Sequence, residues 1–211
     1  MMLIGHKAPY FKATAVINGE IEPGFSLSRY LGKQYVLFFF YPKDFTLVCP
    51  TELIGFQESL PEFEKRNTAV VACSTDSDFC HWAWANTPRE KGGICGVTYP
   101  LVSDINKEIA ENFDVLAGER ICHEDGRCTV TGERVAYRAL FLIDKEGIIR
   151  HLLVNDMPLG RSVAEALRMV DALQHVERYG EGCPLNWTPD SAPLRPTHDF
   201  DSSYLEKNHE G

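Results

Sequence analysis

The stretch that decides the fold runs from Tyr35 to Glu52 and reads YVLFFFYPKDFTLVCPTE. Its first seven residues are apolar without polar alternation, which predicts a strand buried on both faces of a sheet. Pro42 lacks the N–H that a sheet ladder needs, so the strand should end there. A helical pattern of apolar residues follows, and Pro50 suits its first turn. The sequence therefore predicts that Cys49 lies at a helix N-terminus, just past the carboxyl end of a central strand.

The predicted position of Cys49 favours a reactive thiol. Unpaired N–H groups and the positive end of a helix dipole stabilise a thiolate. Thr46 lies three residues earlier and can place a hydroxyl beside the sulfur. The alternative is an inert thiol, because most free cysteines behave as small buried hydrophobes. The local pattern alone leaves both interpretations open.

The spacing Pro42-x-x-x-Thr46-x-x-Cys49 resembles the active-site motif of the peroxiredoxins. The strings FFFYP and VCPTE are similar to those of the typical 2-Cys branch, which includes alkyl hydroperoxide reductase C-type enzymes. The resemblance implies that Cys49 is the peroxidatic cysteine, whose thiolate attacks the O–O bond of a hydroperoxide and becomes a sulfenic acid. It also implies that Pro42 shields the sulfur and that Thr46 orients the peroxide.

A lone arginine interrupts the long apolar strand predicted from Val135 to Asp144. Arg138 needs an anionic partner or a path to solvent there, unless it lies at a strand end and reaches water along its stem. The string YRALFLID resembles the family strand that carries the active-site arginine. The resemblance implies that Arg138 faces the sulfur of Cys49, where it would stabilise negative charge, with Glu52 holding the guanidinium.

The composition shifts after Gly180 towards proline, glycine, asparagine and aspartate, which predicts an extended tail. Within it, GCPLNW resembles the resolving-cysteine motif of the family. That resemblance implies that Cys183 of the partner subunit condenses with the sulfenic acid of Cys49 and forms an intersubunit disulfide. The predicted organisation is α/β: a thioredoxin-like domain over residues 1–175, with a central mixed sheet flanked by helices, and a C-terminal arm over 176–211.

A polar segment over residues 119–134 departs most from the family, whose loop is much shorter here. The string CHEDGRC at its centre predicts a hairpin around the Asp-Gly pair. A two-residue turn would point Cys122 and Cys128 to opposite faces, whereas a three-residue loop over 124–126 would let them face each other and form a bridge. A reducing cytosol opposes such a bridge. Zinc is an alternative that lacks a fourth ligand.

The composition of the chain limits the number of domains, the partners and the cellular location that we expect. Its 211 residues suffice for one well-cored domain, and a net charge of −9 argues against a nucleic-acid groove. The sequence has neither a leader-like start nor an apolar run long enough to span a bilayer, so we expect a cytoplasmic protein without membrane or nucleic-acid partners. The seven cysteines include no C-x-x-C pair, which fits neither a secreted disulfide framework nor a zinc ribbon.

The expected activity is thiol-dependent reduction of hydrogen peroxide and organic hydroperoxides, in antioxidant defence and redox homeostasis. The resemblance implies no metal, flavin or haem on the chain, an external reductant that is thioredoxin or a dedicated flavoprotein, and homodimers that can assemble into a decameric ring. A disulfide oxidoreductase on the same fold is the first alternative, and the lack of a C-x-x-C pair argues against it. The second is a ring-forming holdase chaperone, which no residue identifies.

Overall fold

The computed structural model describes residues 3–195. Its strands are β1 Ala13–Ile17, β2 Glu20–Phe25, β3 Tyr35–Phe40, β4 Thr68–Ser74, β5 Leu101–Ser103, β6 Glu119–Cys122, β7 Cys128–Thr131, β8 Arg138–Ile143 and β9 Ile149–Asn155. Its α-helices are α1 Cys49–Glu58, α2 Leu60–Lys65, α3 Asp78–Asn86, α4 Glu108–Asn112 and α5 Val163–Tyr179, and short 3-10 helices cover Leu27–Tyr30 and Arg89–Lys91.

Seven of these strands form one mixed sheet in the order β2-β1-β5-β4-β3-β8-β9. The β3 strand lies inside it, parallel to β4 and antiparallel to β8. All six of its residues are buried, as the unbroken apolar run predicts. The strand ends at Phe40, although the Tyr41 N–H still bonds to the Cys73 carbonyl, and Pro42 follows. The predicted α/β fold with a central mixed sheet is confirmed.

The two faces of β3 carry different parts of the core, because side chains alternate along a strand. On one face Phe38 and Phe40 contact Phe113, with ring centroids 5.1 and 5.4 Å away. On the other face Phe39 stacks on Phe56 of α1 at 4.5 Å. The second contact fixes α1 against the central strand and so determines where its N-terminus, Cys49, lies.

The helical pattern that follows Cys49 is broken into two helices. The first, α1, ends at Glu58, and α2 begins at Leu60 with Pro61 in its first turn. Proline at this position cannot donate to the preceding turn, which accounts for the break. No helix among residues 3–195 is both long and apolar enough to cross a bilayer.

The chain divides into two compact units between Val163 and Ala164. The second unit contains most of α5 and the segment that follows it. Within this unit an isolated bridge pairs Gly182 with Leu194, and the ring of the buried Trp187 lies 4.8 Å from that of His175. The described part of the predicted arm is therefore held by local pairing.

Candidate active site

Cys49 is the first residue of α1, as predicted, and Pro50 occupies the next position. Its neighbour Val48 offers no side-chain cap, so the first N–H groups of the helix have no side-chain acceptor of that kind. The thiol is fully buried. A cation touches it: Nη1 of Arg138 lies 3.3 Å from Sγ. A sulfur at a helix N-terminus beside a guanidinium is in an environment that stabilises its anion.

Arg138 begins β8 and is 4% exposed, so its side chain lies beneath the surface. The same Nη1 that reaches Cys49 donates to Oε2 of Glu52 at 2.8 Å, and Nε donates to the Met157 carbonyl. The structure thus brings Arg138, Cys49 and Glu52 together. Arg138 has both features that a buried cation needs, an anionic partner and directed hydrogen bonds.

A second arginine holds the same carboxylate. Nε and Nη2 of Arg161 donate to the two oxygens of Glu52, each at 2.8 Å, and its backbone N–H donates to Oε1. Burial alone would raise the pKa of Glu52, but the hydrogen bonds and charge of Arg161 and the charge of Arg138 bring it below its ordinary value. Glu52 is therefore ionised between two cations.

Arg161 also joins the two central strands. Its Nη1 donates to the carbonyls of Phe40 and Ala139, each at 2.7 Å, and its guanidinium lies 4.8 Å from the centre of the Phe39 ring. Sequence reasoning missed this residue, because a single arginine in a polar loop has no periodicity to mark it as buried.

The loop before Cys49 carries the other two residues of the motif, Pro42 and Thr46, whose implied roles stay predictions. Pro42 is buried two residues after the end of β3. Thr46 is exposed, and its hydroxyl donates to the Lys43 carbonyl at 3.1 Å. Among residues 3–195 the structure gives it no hydrogen bond with Cys49. The intervening Phe45 has a φ of 52°, which is uncommon for a bulky side chain and marks local strain.

A buried polar network anchors this loop, and sequence reasoning missed it too. His81 is fully buried, and its Nδ1 lies 2.8 Å from Asp44 Oδ2 while Nε2 lies 3.2 Å from the Val102 carbonyl. Tyr41 donates to the other Asp44 oxygen at 2.8 Å. Burial would lower the pKa of His81, but the hydrogen bond and charge of Asp44 raise it overall. Both ring nitrogens face acceptors, which favours the charged imidazolium.

Cys183 belongs to the second unit, so its pairing with Cys49 stays a prediction. Its thiol lies 3.6 Å from the Ala172 carbonyl and is partly exposed. Burial raises the pKa of the thiol, Arg168 lowers it and Glu181 raises it, with a raised net value. The resemblance also places Tyr204 and Leu205 where family members that over-oxidise readily carry Tyr-Phe, and both positions lie outside the described residues.

The polar insertion forms the separate hairpin of β6 and β7. Cys122 lies opposite Cys128, and a disulfide joins them. The His123 N–H bonds to the Arg127 carbonyl, which leaves a three-residue loop with Gly126 at a φ of 82°. The hairpin therefore has the register with a three-residue loop, which is the one that allows a bridge. The bond occupies both thiols that the zinc alternative required.

The chain belongs to the AhpC/TSA family, whose model matches residues 4–152. It is 48% identical over 200 residues to a human "Thioredoxin-dependent peroxide reductase, mitochondrial", covering 95% of this chain and 72% of that protein. It is 46% identical over 208 residues to Helicobacter pylori "Alkyl hydroperoxide reductase C", covering 98% of both. The crystal structure of the reduced Plasmodium vivax 2-Cys peroxiredoxin superposes with a TM-score of 0.86 at 41% identity, covering 98% of this chain and all of the other.

Proposed function

We propose that this protein reduces hydrogen peroxide and organic hydroperoxides with Cys49 as the attacking thiol. The observation that carries the proposal is the contact of 3.3 Å between Cys49 Sγ and a buried guanidinium, that of Arg138, which Glu52 holds in turn. The names of relatives, a peroxide reductase and an alkyl hydroperoxide reductase, support the substrate class.

The first step follows from these positions. The Cys49 thiolate attacks one peroxide oxygen, the O–O bond breaks, and the sulfur gives up an electron pair to become a sulfenic acid. The departing oxygen carries the negative charge until it takes a proton and leaves as water or an alcohol. Arg138 stands beside the sulfur and can stabilise both the thiolate and this developing charge without reorganising, because its other hydrogen bonds are already made.

In the second step Cys183 of the partner subunit attacks the sulfenic acid and expels water, which leaves a disulfide. Because Cys49 is fully buried, its first helical turn must open before another thiol reaches it. An external dithiol then restores both thiols. Thioredoxin and a dedicated flavoprotein both remain candidate reductants, and homodimers, a decameric ring and a cytoplasmic location belong to the same proposal. Nothing in the described residues favours the chaperone alternative.

Turnover of single-cysteine variants tests this proposal. Cys49→Ser should consume no peroxide, and Cys183→Ser should react once and then stop. Cys95→Ser is the matched control, because Cys95 is a free, exposed cysteine without a place in the mechanism, and it should turn over normally. Sustained turnover of Cys183→Ser with thioredoxin would refute the resolving role, and peroxide consumption by Cys49→Ser would refute the attacking role.

A further inference from the structure

The β6–β7 hairpin has no core of its own. All eight residues of its two strands are exposed, and it forms its own two-stranded sheet. An isolated hairpin of two strands is marginally stable in water. The Cys122–Cys128 bond is the covalent constraint that holds its strands together. Opening that bond should therefore cost the rest of the fold little.

Cys122 and Cys128 are both exposed and lie on one face of the hairpin. Side chains alternate along a strand, so Arg120 shares the face of Cys122, and Val130 shares the face of Cys128. The other face carries the contact between His123 and Thr129. The bridge therefore lies at the surface, and Arg120 places a positive charge on the same face of the hairpin. A nearby positive charge favours a departing thiolate, and lower basicity of the leaving thiol speeds disulfide exchange.

We propose that Cys122–Cys128 is a second thiol–disulfide exchange site of this chain, which a dithiol protein of the thioredoxin class opens. One thiolate of the reductant attacks a bridge sulfur, the S–S bond breaks, and the other hairpin cysteine leaves as a thiolate and takes a proton. The second reductant thiol attacks the mixed disulfide and releases the first hairpin thiol. Two electrons pass to the hairpin, and the reductant ends as a disulfide.

A dithiol fits this site better than a monothiol does. The paired strands keep Cys122 and Cys128 adjacent, with Cα atoms 4.0 Å apart. A mixed disulfide with a monothiol is therefore reversed by the neighbouring hairpin thiol, which acts at high effective concentration. A second thiol on the reductant competes with that reversal because it is also intramolecular.

The hairpin is tied to the loop that precedes Cys49. The chain returns from β7 to Glu133, whose carboxylate lies 2.9 Å from Nζ of Lys43. When the bridge opens and the strands fray, Glu133 loses the support that places it at Lys43. The redox state of the hairpin is thus connected to the mobility of the active-site loop, although both charges are exposed and the coupling is small.

The test uses the full chain with Cys49→Ser and Cys183→Ser, so that its outcome is independent of the proposed function. After incubation with thioredoxin, thioredoxin reductase and NADPH, alkylation and mass spectrometry should find two new thiols per chain, at Cys122 and Cys128. Adding Cys122→Ser and Cys128→Ser should abolish this gain. Arg120→Gln, which leaves the bridge intact, should slow the opening several-fold.

Three results would overturn the proposal. The bridge could stay closed to thioredoxin while a phosphine reductant opens it, which would make it a purely structural bond. It could open with reduced glutathione but not with thioredoxin, which would contradict the dithiol assignment. Finally, free thiols at both positions in untreated protein would mean that no bridge is present to exchange.

Discussion

Replacing Arg161 with methionine should lower the free energy of unfolding by about 4 kcal/mol and slow the reaction of Cys49 with peroxide more than tenfold. The guanidinium donates two hydrogen bonds to Glu52 and one each to the carbonyls of Phe40 and Ala139. Methionine keeps much of the apolar stem and removes all four bonds. The rate should fall because Glu52 then loses its fixed position, so the remaining pair of Glu52 and Arg138 no longer places the guanidinium at the sulfur.

The expected loss of unfolding free energy follows from the buried groups that lose Arg161 as their partner. Removing one partner of a buried ion pair costs about 3–5 kcal/mol, and the low end applies because Arg138 still neutralises Glu52. The two carbonyls lose a buried donor, which adds about 1 kcal/mol once water and relaxation are allowed for. For a protein of this length the sum lowers the melting temperature by roughly 8–16 °C.

Urea unfolding over a range of pH measures this loss. The pKa of Glu52 is lowered in the folded state. The stability that its ionised carboxylate contributes is therefore present above the ordinary pKa of about 4.3 and is lost as pH falls through the pKa of the folded state. The difference between wild type and Arg161→Met should therefore shrink in acid. Arg161→Lys keeps the charge but offers a single nitrogen, so it should fall between the two. A methionine variant within 1 kcal/mol of wild type and equally fast with peroxide would refute this account of the site.

Three further predictions concern other parts of the site. Arg138→Ala should slow the peroxide step well over tenfold in stopped-flow assays, since it removes a charge-assisted donor at Cys49; an unchanged rate would contradict this. His81→Gln should cost about 3 kcal/mol near pH 6. The pKa of His81 is raised on folding, so the stability that its charge contributes is complete below the ordinary pKa of about 6.5 and declines as pH rises through the pKa of the folded state. The denaturant midpoints of wild type and variant should therefore converge at alkaline pH. Finally, the string GGIC over residues 92–95 resembles the Gly-Gly-Leu-Gly loop of family members that over-oxidise readily, with Cys95 in place of the last glycine. Because Cys95 lacks the backbone freedom of glycine, mass spectrometry should find less sulfinic acid at Cys49 than in a Gly-Gly-Leu-Gly enzyme at equal peroxide; equal yields would exclude this loop as the cause.

The strand–helix unit around Cys49 could be predicted because its signals are local. An unbroken apolar run, a proline that ends it and a second proline in the first helical turn act within a few residues of one another. The hairpin of the insertion was predictable for the same reason, but its register was not. The choice between two registers depends on whether the loop has two or three residues, and the left-handed Gly126 selects the second.

The polar contacts of the site could not be predicted from local pattern, since they join distant parts of the chain. Glu52 and Arg161 are 109 positions apart, and Asp44 and His81 are 37 apart. Periodicity reports burial of apolar faces, so buried charges that are paired leave no such signal. The role that the resemblance implies for Thr46 stays a prediction, and the structure adds that its hydroxyl makes a short-range hydrogen bond to the backbone.

Cys49 is the residue that we propose reacts with peroxide. The most direct measurement treats reduced Cys183→Ser with less than one equivalent of hydrogen peroxide, traps sulfenic acid with dimedone and maps the adduct by mass spectrometry. We expect the adduct at Cys49, with Cys73 and Cys80 unmodified, because burial raises the pKa of both thiols and neither has a cation at its sulfur in the described contacts. An adduct spread over several cysteines, or absent from Cys49 while peroxide is consumed, would contradict it.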